Sequence, residues 1–204
     1  MNYVEMVFVI LIFLLYLTLW KVKEIIQKKT TGINPKVMAI STSNIQKYMN
    51  HFAIFLTVYV ILIIILHSIG VQYGSLFSRF KILDHFFIDY IGFLAGLIGL
   101  SFCLYAQIKM GKSWRVGIDE KEKTELITTG LYKLVRNPTY LGLFILNSGI
   151  WLIWPTWTMF IFVLLFFIFL EIQVRCEEDF LISRHGIKYE EYKRKTKRYI
   201  PFIY

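Results

Sequence analysis

Long apolar runs with almost no charge constrain this sequence more than any other feature. A helix needs about 20 mostly apolar residues to cross the hydrocarbon core of a bilayer, and the chain supplies such runs repeatedly. Val4–Trp20 is interrupted only by Glu5, Phe52–Val71 has no acidic or basic residue apart from His67, and Phe86–Gln107 carries only Asp89. Thr139–Ile172 has no lysine or arginine and is too long for one crossing. It is punctuated at Trp154-Pro155-Thr156-Trp157, where proline favours a turn. The run therefore reads as a helical hairpin with arms Tyr140–Ile153 and Trp157–Ile172. Trp151, Trp154 and Trp157 are expected at the water interface, where indoles prefer to sit. Val4–Trp20 is not read as a signal peptide, because no basic stretch precedes it and no small-residue cleavage site precedes Lys21. The sequence thus predicts one all-α membrane domain over residues 1–204, a polytopic bundle of about five transmembrane helices.

The charges orient that bundle. The 23 lysines and arginines give a net charge of +9, a balance that suggests nucleic-acid binding in a soluble protein. Here the basic residues flank apolar runs, and all but Arg79 and Lys81 fall on one side of a five-span arrangement. The positive-inside rule makes that side cytoplasmic, with the N-terminus outside and the C-terminus inside. No nucleic acid is expected as a partner. Cys103, Cys176 and the four histidines show no ligand spacing, so no metal is expected either.

Polar signals concentrate after the third run. Residues 1–108 read as scaffold helices and 109–204 as the chemically active half. In the third run, Gly92 and Gly96 form a small-xxx-small pair that lets another helix approach closely. Gly130 can supply a turn with positive φ. Pro138 suits the first turn of a helix, and Asn137 is placed as its N-cap. Arg136 then lies at the membrane surface, where it either contacts lipid headgroups or serves a site. Glu171, Arg175 and Glu178 recur at i, i+4 and i+7 and share one helix face, with Glu177 turned away by about 100° per residue. Carboxylates where a span leaves the membrane are functional candidates unless they are simply solvated. The tail reads as an amphipathic helix from Phe180, a stop at Gly186, and a basic helix that anionic lipid would hold at the inner leaflet.

These segments together resemble the isoprenylcysteine carboxyl methyltransferase family and its bacterial relatives, within the wider group of membrane phospholipid methyltransferases. The carrying residues are Leu126-Ile127-Thr128-Thr129-Gly130-Leu131-Tyr132, Arg136-Asn137-Pro138-Thr139-Tyr140, Glu177-Glu178, Gly186, Tyr189, Tyr192 and Ile200-Pro201, spread over about Gly111–Tyr204. The resemblance implies methyl transfer from S-adenosylmethionine to a lipophilic or amphiphilic small acceptor delivered from the membrane lipid. It implies a cytoplasm-facing active site, in a bacterial cytoplasmic membrane if the bacterial relatives are the guide. The implied cofactor contacts are Leu126, Ile127, Gly130, Tyr132, Asn137, Pro138, Thr139, Tyr140, Glu177 and Glu178. Arg136, Arg175 and Glu178 are the implied catalytic group, with Arg136 or Arg175 neutralising an anionic acceptor or the cofactor's carboxylate.

Three positions depart from the family pattern. The usual Arg-His-Pro is Arg136-Asn137-Pro138, and asparagine keeps hydrogen bonding but cannot titrate. An upstream family histidine falls on Thr124. A substrate-side arginine of eukaryotic members falls by offset on Gln173, with Arg175 the nearest arginine, which leaves the acceptor open. A second resemblance, to membrane sterol-type reductases using NADPH, rests on Arg136, Pro138, Tyr140 and the end Pro201-Phe202-Ile203-Tyr204. The paired glutamates and the short chain favour the methyltransferase. A non-catalytic membrane protein would instead have no cofactor cavity.

Overall fold

The computed structural model describes residues 3–69, 75–122 and 124–201. Six α-helices carry the architecture: α1 Tyr3–Thr31, α2 Asn44–Ser68, α3 Phe86–Met110, α4 Pro138–Ile153, α5 Trp157–His185 and α6 Ile187–Lys195. Among the described residues the only β pairings are two isolated bridges, Arg79 with Thr156 and Val135 with Lys197. α1, α2, α3 and α5 are long and apolar enough to cross a membrane, whereas α4 is a shorter apolar helix. Many large apolar side chains of the long helices, among them Leu14, Val58, Leu94 and Leu164, face outward. That pattern suits a lipid solvent and would be costly in water. The expected run ending at Val71 stops as helix at Ser68; Val71 lies outside the described residues.

The hairpin forms as the sequence predicts, with α4 and α5 flanking Pro155. Thr156 caps α5 by accepting from the Met159 amide. Two expectations change. α5 does not end near Ile172 but runs unbroken to His185, so the amphipathic tail helix is its continuation. Trp154 does not reach water. It is 2% exposed and stacks on His67 with centroids 5.4 Å apart, because the tight turn folds it beneath the end of α2. Trp157 is exposed.

Contacts divide the bundle into two ends. At one, Arg79 Nη1 donates to both Glu5 oxygens at 3.0 and 2.9 Å, His67 Nε2 is 3.0 Å from Thr158 Oγ1, and the Phe80 amide donates to the Pro155 carbonyl. At the other, Gln27 Nε2 donates to the Lys112 carbonyl at 2.6 Å and the Met38 and Val116 backbones pair. Each of the first five helices runs from one end to the other.

α3 and α4 pack more closely than any other pair, and the reason is local. A Cβ built on Gly99 would lie 2.5 Å from the Gly142 carbonyl oxygen, and one on Gly142 would lie 2.6 Å from that of Gly99. Gly92 and Gly149 repeat the relationship at 2.6 and 2.5 Å. The backbones touch because no side chain separates them. Gly96, the other half of the small-xxx-small pair, also receives the Ile12 side chain of α1. By contrast α1 and α2, consecutive in the chain, meet at few points.

Candidate active site

The close α3–α4 contact brings the start of α4 beside the end of α3, and the segment between them folds over both. Gly130 takes φ +67° and opens a short 3₁₀ turn, Gly130–Lys133, that buries Tyr132. Pro138 begins α4 as expected. Asn137 holds the N-cap position, but its side chain makes no cap bond and donates instead to Glu178 Oε1 at 3.3 Å. Gly186, with φ +56°, ends α5 and turns α6 back over the site. Tyr189 and Tyr192, three residues apart on one helix face, point inward. Tyr192 Oη donates to the Tyr132 carbonyl at 2.6 Å.

These elements enclose a cavity of about 130 Å³ lined by Ser113, Thr124, Glu125, Leu126, Ile127, Tyr132, Arg136, Asn137, Pro138, Thr139, Tyr140, Glu177, Leu181, Tyr189 and Tyr192, with Met110. Most residues implied as cofactor contacts therefore share one wall. Gly130 does not line it; it shapes the turn beneath it, against Tyr105. Burial pushes the phenols of Tyr132, Tyr189 and Tyr192 up. They stay neutral and offer ring faces and hydroxyls rather than a base.

The two glutamates part company. Glu177 reaches the cavity, where its Oε1 accepts from Tyr140 Oη at 2.5 Å and from Gln173 Nε2 at 2.9 Å. Glu178 lies behind the wall, 2% exposed. Arg136 Nε donates to its Oε1 at 3.0 Å and Arg198 Nη2 to its Oε2 at 2.9 Å. Arg136 Nη1 also donates to the carbonyls of Lys193 and Thr196, closing the C-terminal turn of α6. Arg175 is not part of this group. It is exposed, pairs with Glu171 at 2.7 Å, and lines neither cavity, since two residues of helix turn it about 200° from Gln173.

The sequence did not point to Arg198 or Tyr199 as members of the site; Arg198 reads there as part of a lipid-facing basic stretch. The structure folds the tail inward. The amides of Arg136 and Asn137 donate to the carbonyls of Lys197 and Arg198. Arg198 reaches Glu171 and Glu178, each at 2.9 Å, and Tyr199 Oη reaches Glu171 at 2.8 Å. The only sequence signal was the number of acidic residues on one face of α5, which calls for partners.

A second, larger cavity of about 280 Å³ lies between α1, α2, α4 and α5, floored by Trp114–Gly117. Its walls are almost wholly apolar and aromatic, including Tyr16, Trp20, Leu56, Val60, Leu143, Phe162, Phe166 and Phe169. Thr139 and Tyr140 line both cavities. The helices that read as scaffold thus also wall a chamber. α1 holds its floor in place through Lys23 Nζ, which donates to the Gly111 carbonyl at 3.1 Å and lies 5.8 Å from the Trp114 ring centroid.

A polar cavity meeting an apolar one is the arrangement expected of an enzyme that joins a water-soluble to a membrane-soluble reactant. Comparison with known proteins decides the kind. The family model for phospholipid methyltransferases matches residues 88–187. A protein of Oryza sativa subsp. japonica named "probable protein-S-isoprenylcysteine O-methyltransferase" is 33% identical over 132 residues, 63% of this chain and 68% of the relative. The chain belongs to the isoprenylcysteine O-methyltransferase family. The protein-S-isoprenylcysteine O-methyltransferase of Schizosaccharomyces pombe is 31% identical over 101 residues, 48% of this chain and 43% of the relative. A methanethiol S-methyltransferase of Crocosphaera subtropica is 36% identical over 91 residues, 42% of this chain and 33% of the relative. As a member of this family the chain is a membrane methyltransferase, which sets aside hydride transfer from NADPH. Of the tail that resembles sterol reductases, Phe202, Ile203 and Tyr204 lie outside the described residues. Among those described, no cluster of histidine, cysteine and carboxylates suited to a metal occurs.

Proposed function

We propose that this isoprenylcysteine O-methyltransferase relative moves a methyl group from S-adenosylmethionine, bound in the polar cavity, to a lipophilic acceptor lodged in the apolar chamber. The observation that carries the reading is the wall the two cavities share at Thr139 and Tyr140. The residues of the polar cavity fit the donor. A carboxylate and aromatic faces suit a sulfonium cation, and the Arg136 guanidinium suits a carboxylate. Glu177 and the rings of Tyr132, Tyr140, Tyr189 and Tyr192 would hold the reacting end, with the remainder of the molecule in the cavity's mouth. When bound, S-adenosylmethionine supplies an electrophilic methyl group on a positively charged sulfur. The protein's own work is alignment and exclusion of water. Tyr140, tied to Glu177, holds the boundary between the chambers. Glu178 and Arg198 hold Arg136 in place from behind, so both act as positioning residues.

The same reading sets the protein in the membrane with five crossings, N-terminus outside and C-terminus in the cytoplasm. It is supported by the end-to-end run of the first five helices and by the basic residues gathered at the polar-cavity end. α4, with 16 residues, spans about 24 Å at 1.5 Å per residue, short of the ~30 Å hydrocarbon core. The close α3 contact carries it through the remainder inside the protein. α1 and α2, which both line the chamber but meet at few points, would give an acceptor its route from the bilayer. The names of the relatives, which point to an isoprenylcysteine oxygen and to the sulfur of methanethiol, bracket the acceptor classes.

Titration calorimetry of purified protein against S-adenosylmethionine and NADPH tests the donor. Saturable binding of S-adenosylmethionine, lost in Glu177→Ala that still unfolds cooperatively, is the expected result. Absence of S-adenosylmethionine binding would overturn the reading.

A further inference from the structure

The C-terminal chain leaves the apolar part of the bundle and then returns to it. α5 runs on to His185, and Gly186 reverses the chain into α6. The residues after α6 descend along α5 and α4. Tyr199 Oη donates to Glu171 at 2.8 Å, and Glu171 stands about 21 Å back along α5 from His185 at 1.5 Å per residue. The Tyr199 ring packs edge-on against Phe144, with centroids 4.8 Å apart. Phe144 lies about 9 Å inside α4 from Pro138 on the same scale. This strap therefore ends beside apolar residues of α4, at the depth where the bundle meets lipid headgroups.

The strap presents cations there that the protein does not pair. Residues 192–201 include Lys193, Arg194, Lys195, Lys197 and Arg198 and no carboxylate. Lys193 and Arg198 turn inward to Glu178, and Arg198 also reaches Glu171. Thr196 is extended, with φ −126° and ψ 158°, and buried. Lys195 and Lys197 therefore project to the opposite side, where both are exposed. The bridge between Val135 and Lys197 sets the exposed Lys133 and Leu134 beside them. Lys133, Lys195 and Lys197 are in no ion pair among the described residues. Leu134 and Ile200, 49% and 48% exposed, belong to no membrane-crossing helix. Apolar side chains interleaved with unpaired cations at the bilayer surface suit the acyl boundary and the phosphates of anionic lipid.

The same strap is tied to the polar cavity. The Arg136 and Asn137 amides donate to the Lys197 and Arg198 carbonyls at 2.8 and 3.2 Å. Arg136 Nη1 donates to the Lys193 and Thr196 carbonyls, and Arg136 lines the cavity. Whatever steadies the strap steadies Arg136.

We propose that Lys133, Lys195 and Lys197, with Leu134 and Ile200, form a surface that takes the anionic lipid headgroups of the leaflet at the polar-cavity end, and that this contact raises donor affinity by holding Arg136 in place. The inference rests on the donor site and membrane placement proposed for the chain. The coupling is reciprocal, so bound donor also strengthens the hold on lipid.

The test places the full chain in vesicles of phosphatidylcholine, alone or mixed in equal parts with phosphatidylglycerol. Titration calorimetry reads the affinity for S-adenosylmethionine. Affinity is expected to rise about fivefold or more in the mixed vesicles, within the range of coupling between linked sites. A variant combining Lys133→Gln, Lys195→Gln and Lys197→Gln keeps the backbone bonds of the strap. It is expected to bind the donor in phosphatidylcholine as the unaltered protein does and to lose the rise. Concentration of the cationic donor at an anionic surface would act on both proteins alike, so an equal rise in the variant overturns the inference. Equal affinity of the unaltered protein in the two vesicles overturns it, as does the same rise produced in phosphatidylcholine by free glycerol phosphate. Protein that binds no donor in either vesicle overturns the proposed function and the inference with it.

Discussion

Tyr140 Oη donates to Glu177 Oε1 across 2.5 Å, joining the first turn of α4 to α5 where both cavities have a wall. The bond sets the ring between the chambers and presents Glu177 to the polar side. A hydrogen bond to a charged group contributes about 1.5–3 kcal/mol, and 1.4 kcal/mol is tenfold in affinity. Tyr140→Phe is therefore expected to weaken S-adenosylmethionine binding at least about tenfold, read by titration calorimetry, while the helix content by circular dichroism is retained.

Glu178 sits between Arg136 and Arg198 with little access to water. Breaking a buried pair by removing one partner costs about 3–5 kcal/mol. Glu178→Gln is expected to lose stability on that scale in denaturant unfolding and to lose turnover, because Arg136 is no longer held at the cavity.

Arg175 offers the contrast. Its pair with Glu171 is solvent-exposed, and such pairs are worth about 0–1 kcal/mol. Arg175→Ala should leave both stability and the methylation rate close to those of the unaltered protein. A rate reduced tenfold would give Arg175 a part that its position outside both cavities does not.

The α3–α4 contact leaves no room for a methyl group. Gly142→Ala would put a Cβ 2.6 Å from the Gly99 carbonyl oxygen, a backbone atom that cannot swing aside. Overpacking of this kind costs about 1–3 kcal/mol. The expected result is a lowered unfolding midpoint together with reduced donor affinity, since Pro138–Tyr140 move with α4.

Asp119 gives the chamber floor a pH dependence. Burial alone would push its carboxyl up, but the Glu122 and Lys121 amides and the Arg115 guanidinium outweigh it and hold the group below the usual carboxylate range. A carboxyl lowered on folding stabilises the fold above its unfolded pKa of about 3.9, and that contribution is lost as the pH falls through the lower folded value. Hydrogen-exchange protection over residues 114–119 should decline below about pH 4. Asp119→Asn should already lack it at neutral pH.

Much of the fold was legible because hydropathy is a local property. The four long helices, the turn at Pro155, the positive φ at Gly130 and the helix start at Pro138 are each set by residues within a few positions. Periodicity also placed Glu177 and Glu178 on different faces of α5, but not what each face meets. Glu178 is met by Arg198, and the backbone of 197–198 pairs with 135–137, an approach across some sixty residues that no local pattern encodes. Gly142 and Gly149 are in the same position: each is an unremarkable glycine in an apolar helix until α3 supplies the opposing glycine. Exposure of Trp154 to water was expected from a preference of indoles in general, whereas the turn and His67 bury this one.

The reciprocal glycine contacts carry a mechanical consequence. Where two backbones meet with no side chains between them, nothing remains to compress and no rotamer can be exchanged, so α3 and α4 behave as a single beam. That beam carries Thr139 and Tyr140 at its polar-cavity end and cannot part to admit a guest. Any breathing of the chamber must fall on the opposite side, where α1 and α2 meet at few points. The molecule thus separates the element that must stay still during transfer from the one that must yield before it.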